Sequence, residues 1–426
     1  MVQLNDTFGR LALSDAPPPA KAPRARPGVR FDASASPTLP ESTNRLLSLL
    51  ARLFIPLRLS PQFTPTLQRV KGLLYDKEYL TAFGSPGDEG ERFREVYVSR
   101  WTPARAVIYE RIFEECAVAY ALGWAFEQPK EVDEEEKELQ RERKQARRRR
   151  EWKKEGKTKE EIAQLEAQAE ADAANSTSQG NGAKEVPEEY RVAMLGAGAG
   201  SEVVALGCCL GTAASAPSER KRPRVKVDVV DQGGWGTLLQ KMEGGLREEW
   251  PALSPSSAGE GGFEVTFEQA DALAPPTSAS PPAPASASPT ASYTPPQLAH
   301  PSTRLITILF TISELFLQSR LSTLRLLSSL SSAAPGTLLL IVESASLGMV
   351  PLGKEGRMYP LGTLLDHTLC DAGAQKGQGN WEKLKGEDAK WYRMMEGAED
   401  AYNPLGSGER VKLENSRVVL RLYRRK

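Results

Sequence analysis

Histidine is nearly missing from this 426-residue chain: there are two, His300 in a proline-rich stretch and His367 in a segment of helical periodicity. A zinc site or a histidine-centred triad therefore has almost no raw material, and no metal is expected. The four cysteines, Cys116, Cys208, Cys209 and Cys370, show no C-x-x-C spacing, and adjacent Cys208 and Cys209 are badly placed to bridge each other in a helix. That usage suits a reducing compartment. Charge of one sign is missing too, because 55 Lys and Arg balance 55 Asp and Glu. Any case for nucleic-acid binding must then be made locally. No apolar run is long enough to span a bilayer, and the first residues, with Asp6 and Pro17 to Pro19, lack a signal-peptide core. These absences predict a soluble intracellular protein with no membrane contact.

What the chain does have is unevenly spread. Its 31 prolines and 35 glycines are clustered, so a sizeable part of the length is tail or insertion. Residues 1–40 are poor in large apolar side chains and predict a disordered tail. Residues 41–128 predict an N-terminal helical unit, with stripes at Leu46, Leu47, Leu49, Leu50 and Leu53, ending before Pro56, and at Leu67, Val70, Leu73 and Leu74. Thr102 as a cap and Pro103 as first residue predict that its last helix starts there. Residues 129–186 form a charged helical or disordered insertion, with Arg147 to Arg150 beside Trp152. That basic run reads as a solvated, ion-paired helix or as a phosphate-contacting or nuclear-import segment, and both readings can hold.

From residue 187 to 426 short apolar runs alternate with helical patterns. Strands are expected at Val192 to Leu195, Val225 to Val230, Phe263 to Phe267, Arg304 to Phe310, Thr337 to Val342 and Val418 to Tyr423, with helices at Val203 to Leu210 and Leu315 to Leu330. That alternation implies an α/β domain whose mostly parallel sheet is covered on both faces. Ala214 to Pro223 lengthens one loop, and residues 274–302, rich in Pro, Ala, Ser and Thr, read as a disordered insertion replacing a crossover.

The first strand runs into Gly196-Ala197-Gly198-Ala199-Gly200 and a helix opening with Ser201-Glu202, so backbone can approach a ligand beneath a helix N-terminus. A dinucleotide fingerprint needs its third glycine at the sixth position, whereas here it is at the fifth, a spacing closer to methyltransferase loops. A plain glycine turn is the alternative. Asp231 ends the second strand, where a carboxylate can accept both ribose hydroxyls, or merely start the turn Gln232-Gly233-Gly234. Trp235 either covers the site or packs the next helix. Asp271, after the third strand, lies where an adenine amine would be. The fourth strand delivers Thr311, Ser313 and Glu314 to the same edge, although Ser313 can equally cap the next helix and Glu314 favour its dipole. Glu343 and Ser344 follow the fifth strand, and a glycine-containing loop through Gly348, Gly353 and Gly356 reaches Tyr359-Pro360 as a lid or substrate-contacting segment. Asp366 and His367 read as structural.

The blocks Val70 to Tyr75, Tyr97 to Arg105, Gly196 to Glu202, Phe310 to Leu315, Tyr359 to Leu369, Leu384 to Arg393 and Leu413 to Arg424 are similar to the fungal family of large-subunit ribosomal RNA methyltransferases that act on N3 of a uridine. The resemblance implies a class I Rossmann-like methyltransferase with a mostly parallel seven-stranded sheet and S-adenosylmethionine (SAM) as methyl donor. It also implies ribosomal RNA or a pre-ribosomal particle as partner, and a nuclear or nucleolar setting, with the cytoplasm also open. A monomer is expected. The acidic residue that many methyltransferases carry two positions before the first loop glycine is Met194 here, so cofactor contacts shift, with Glu202 a candidate. Expected cofactor contacts are thus Gly196, Ala197, Gly198, Gly200, Glu202, Asp231, Asp271 and Thr311. An N3 acceptor must lose its imide proton, which makes Glu314 the first candidate base and Glu343 the second. Arg100, Trp101 and Arg105 offer cation and aromatic surface to an unpaired base, with packing an equal reading for Trp101. A methyltransferase of proteins or small molecules, and an inactive ribosome-assembly binding protein, are the competing functions; no Asn-Pro-Pro-Tyr-like motif follows the fourth strand.

Overall fold

The strands owe their near-continuous apolar sequences to burial on both faces. In β1 (Glu189–Leu195), Val192 and Met194 face one core while Ala193 and Leu195 face the other. β4 (Thr303–Leu309) and β5 (Leu338–Ser344) divide in the same way. With β2 (Arg224–Asp231), β3 (Phe263–Gln269), β8 (Trp381–Tyr392) and β9 (Ser416–Arg425), they make the expected seven-stranded sheet in the order β3-β2-β1-β4-β5-β9-β8. The first five strands are parallel and β9 runs antiparallel to both neighbours. The computed structural model describes residues 39–126, 189–216, 221–255, 261–274, 296–352, 357–371, 377, 379–406 and 408–426. The expected tail, the charged insertion with its basic run, and most of the 274–302 insertion lie outside them. The end of that last insertion is ordered, with Leu298 fully buried in the core.

On one face lie α1 (Glu41–Arg58), α2 (Phe63–Tyr75), α3 (Gly87–Glu115) and α4 (Val118–Ala121), together with α5 (Ser201–Ala214) and α6 (Gly236–Glu249). On the other lie α7 (Ile312–Gln318), α8 (Arg320–Ser329) and α9 (Leu361–Cys370). The leucine stripe of α1 is fully buried at Leu46, Leu47, Leu49 and Leu50, each such side chain stabilising by about 1.5–3 kcal/mol. The helical unit joins the main domain directly: Thr43 of α1 and Cys208 of α5 both donate to the buried carboxyl group of Glu110 on α3.

Three expectations about breaks are corrected. Pro56 lies inside α1, two residues before its end, where only the last turn is affected. The helix expected to begin at Thr102-Pro103 is instead the middle of α3, which runs unbroken from Gly87 to Glu115. Proline removes the N–H that would bond the carbonyl four residues earlier, and that carbonyl, Ser99 O, receives the hydroxyl of Tyr402 at 2.7 Å. Thr102 caps nothing; its hydroxyl donates to Ala199 O at 2.8 Å, in the glycine loop. The single helix expected from Leu315 to Leu330 is two, because Ser319 is extended and its side chain caps α8 by accepting from Ser322 N–H.

The segment expected as a glycine-containing loop is partly strand, and the sequence pattern marks no element over residues 381–392 or 398–402. β6 (Met349–Leu352) and β7 (Arg357–Pro360) form a hairpin, and β8 is an edge strand that is exposed along most of its length. A helix of residues 398–402, α10, carries Tyr402. Tyr402→Phe should lower unfolding free energy by about 1–3 kcal/mol, since it strands a buried carbonyl. Urea denaturation followed by circular dichroism measures this, and an unchanged midpoint contradicts the bracing of Pro103 by Tyr402.

Candidate active site

The order of strands reverses between β1 and β4, whose carboxyl ends open the crevice where α/β sheets bind ligands. The glycine loop leaves β1 there. Gly196 has φ 77 and Gly200 φ 76, both left-handed, and Gly196 N–H donates to Val230 O. A Cβ on Gly196 would lie 2.4 Å from the Thr311 side chain, and one on Gly198 would lie 1.9 Å from the Trp235 ring. The loop is thus packed between β4's end and the indole, with Ala197 buried beneath it.

Asp231 starts the turn and also reaches the glycine loop. Its Oδ1 accepts Gly233 N–H at 2.8 Å, starting the turn, and also the Trp235 indole N–H at 2.9 Å; its Oδ2 accepts Gly198 N–H at 3.0 Å. Burial raises its pKa against the pull of these donors. Trp235 therefore both covers the loop and packs inward, being almost fully buried. Asp271 accepts Leu273 N–H and the Gln318 amide, which ties the end of β3 to α7. Glu202 is buried, bonded by the Thr307 hydroxyl of β4 and the backbone of Leu309.

At the end of β4, Phe310 has φ 56, a rare conformation for an aromatic residue, and its N–H donates to Val342 O at 2.7 Å. Thr311 follows, its hydroxyl donating to Leu309 O at 3.1 Å. Glu314 is then open to solvent at its surface yet surrounded by protein at a distance, as at the floor of a cleft. Burial, opposed by Arg105 and aided by Glu343 and Asp231, raises its pKa to about 7. Glu343 is buried, with Oε2 accepting Ser313 N–H at 3.0 Å and Oε1 accepting Ser344 N–H at 2.8 Å. It caps α7 and holds the edge in place.

The three expected substrate contacts separate. Arg100 is engaged by Glu414 at 2.5 Å and by Lys412 O at 3.1 Å, on the outer side of α3. Trp101 is partly buried, its ring 4.7 Å from Tyr97. Arg105 alone reaches the cleft, where Tyr97, Tyr109 and Phe310 surround it. Sequence reasoning missed Tyr79, Tyr97, Tyr109 and the conformation of Phe310. Tyr79 lies near enough to Glu314 that, after burial, the carboxylate raises the phenol's pKa. A signal existed for the others: Tyr97, Trp101, Arg105 and Tyr109 recur every fourth residue and share one face of a continuous helix.

A groove of about 400 Å³ lies on a face of the sheet, not at this edge, lined by Arg191, Lys226, Asp228, Thr266, Glu268 and His300. Its charges are largely spent on each other, as in the contact of Arg191 with Asp228. Among the described residues no group of three His, Cys, Asp or Glu could hold a metal, and no helix is long and apolar enough to cross a membrane.

Gly196→Ala should cost about 1–3 kcal/mol from left-handed strain, with the Thr311 clash added; thermal unfolding measures it. Burial pushes Glu202 up to about 8 from an ordinary 4.5, so its protonated form is favoured in the folded state. Its contribution to stability is then full below pH 4.5 and lost as pH rises towards 8. Glu202→Gln should flatten that part of the stability curve.

The model of a family described as "Putative SAM-dependent methyltransferase" matches residues 51–424. The 25S rRNA (uridine(2843)-N(3))-methyltransferase of Saccharomyces cerevisiae is 25% identical over 377 residues, covering 84% of this chain and 77% of the yeast protein. Two solved structures are fainter likenesses. The 16S rRNA (adenine(1408)-N(1))-methyltransferase from Catenulisporales acidiphilia has a TM-score of 0.27 at 14% identity, covering 55% of this chain and 87% of that one. The riboflavin-derivative dimethyltransferase RosA from Streptomyces davawensis has a TM-score of 0.24 at 14% identity, covering 56% and 50%. By the family match over most of its length, and with the seven-stranded sheet of the class I Rossmann-like fold, the chain belongs to this family of SAM-dependent methyltransferases.

Proposed function

We propose that this methyltransferase places its methyl group on N3 of a uridine in large-subunit ribosomal RNA. The supporting observation is Glu314, a carboxyl group open to the cleft whose pKa of about 7 fits it to take and release a proton near neutrality. An acceptor nitrogen with a free lone pair needs no base, whereas the imide N3 of uridine does. The yeast relative is named for that acceptor.

The residues at the edge fit the donor. The glycine loop at Gly196, Ala197, Gly198 and Gly200 gives close backbone approach, Asp231 offers a carboxylate for ribose hydroxyls, and Asp271 one for the adenine amine. SAM, when bound, supplies an electrophilic methyl group. Thr311 separates the loop from the reacting edge, and Glu202 braces α5 against β4 from behind. Glu343, with both oxygens held by backbone N–H groups, orients α7 and leaves proton transfer to Glu314. Paired RNA hides N3, so the target is single-stranded or flipped from its stack. We place the reaction in ribosome biogenesis, in the nucleus or nucleolus and also open to the cytoplasm, with the enzyme acting as a monomer.

Purified protein given methyl-labelled SAM with total RNA or total protein tests this reading. Label should enter large-subunit ribosomal RNA and map to a uridine where reverse transcription stops, because an N3 methyl blocks pairing. Label in protein, or none, overturns it. Glu314→Gln should lose about 100-fold or more in turnover while still binding SAM. For the wild type, kcat/KM should rise roughly tenfold per pH unit up to about 7 and then level, since only ionised Glu314 accepts the proton. Asp231→Ala should weaken SAM binding by about tenfold or more in calorimetry.

A further inference from the structure

Arg105 is held in an unusual way. A half-buried guanidinium ordinarily sits in an ion pair. Among the described residues, no carboxylate stands within ion-pair distance of Arg105; its Nη1 donates to the Tyr97 hydroxyl at 2.7 Å. The rest of its support is aromatic, with the Tyr97 ring centroid 5.7 Å and the Phe310 centroid 5.6 Å from the guanidinium carbon. Phe310 brings its ring there from a left-handed backbone that its side chain disfavours. Strain of that kind persists where the surroundings impose it and clusters at working sites. The clamp leaves most of the five guanidinium donors unspent on protein.

The charge is nevertheless felt across the cleft. Arg105 on α3 lowers the pKa of Glu314, while Glu343 on β5 and Asp231 on β2 raise it, after burial, and Tyr79 faces the same carboxyl group from the helical unit. Burial works against the charge on Arg105, the Tyr97 hydroxyl and Glu314 favour it, and an arginine keeps its proton at neutral pH. A cation and a base thus share one cleft without pairing.

We propose that Arg105 is the cation that stabilises the uracil ring once N3 has lost its proton, its free N–H donors meeting a carbonyl oxygen of the imidate anion. The inference rests on the uridine reading given above. The N3–H bond breaks with its electron pair left on the ring and its proton on the Glu314 carboxylate. The ring's charge spreads to O2 and O4, where Arg105 meets it. The N3 pair forms the N–CH3 bond as the methyl's bond to sulfur breaks, with that pair staying on sulfur. The ring ends neutral, the sulfonium becomes a neutral thioether, and one proton on Glu314 leaves to water. An Arg105 tied to a permanent carboxylate would meet the imidate with its charge already spent.

Two variants and two RNAs test it. The substrates are large-subunit ribosomal RNA transcripts containing uridine or 5-fluorouridine, whose N3–H is more acidic and whose anion needs less help. Arg105→Met should lose about 100- to 1000-fold in turnover on uridine RNA, with SAM affinity and melting temperature kept. Arg105→Lys, which keeps the charge, should recover part of it. Fluorouridine RNA should restore about tenfold or more to Arg105→Met and change the wild type by less than about threefold. Without turnover, in the presence of S-adenosylhomocysteine, wild-type affinity for fluorouridine RNA should rise with pH, while that of Arg105→Met stays flat. Equal losses on both RNAs, or loss of SAM binding in both variants, overturn the role of Arg105. A wild type that methylates no uridine overturns the functional reading, and this one with it.

Discussion

Helix α3 has to pass through a proline without breaking, and the cleft depends on its doing so. Pro103 leaves Ser99 O without its helical partner, and the Tyr402 hydroxyl, more than three hundred residues away in sequence, takes the vacant place. The same turn touches the glycine loop through the Thr102 hydroxyl on Ala199 O. Continuity puts Tyr97, Trp101, Arg105 and Tyr109 on one face, and docking on α5 aims the lower part of that face at the end of β4. The helical unit is therefore a wall of the cleft as well as a support for the sheet.

The electrostatics of the edge divide by how each carboxyl group is held. Asp231 and Glu343 are both raised by burial, yet each has its two oxygens fixed by N–H donors. Those donors fix the orientation of each carboxyl group. Glu314 has no such donor among the described residues, and so the balance of burial and neighbouring charge alone sets its proton affinity. A group held that way exchanges protons readily, which suits proton transfer better than fixed geometry does. Glu202, buried and bonded to the Thr307 hydroxyl of β4, is raised to about 8.

The strands of the sheet were legible because two-sided burial demands unbroken apolar runs, and five of the six expected strands came out longer by one to three residues at one end or both. The edge strand β8 was not: half of its residues are charged and most are exposed, so neither an alternating nor a continuous apolar pattern marks it. Ser319 hid a helix break because serine fits a helix interior and a cap alike, and only its extended backbone tells them apart.

By itself the sequence determined the α/β class, the glycine loop, and the carboxylates at the ends of β2, β3, β4 and β5, since all of these follow from local periodicity and from where a strand must stop. Tertiary structure alone decided which of them are spent on backbone and which is open. It also decided that Arg100 turns outward to Glu414 while Arg105 turns inward between two rings. Local rules read Thr102-Pro103 as a helix start, and nothing near it in sequence announces Tyr402. A missing hydrogen bond can be made good from any distance along the chain, and so a proline's meaning is settled only when the chain has folded.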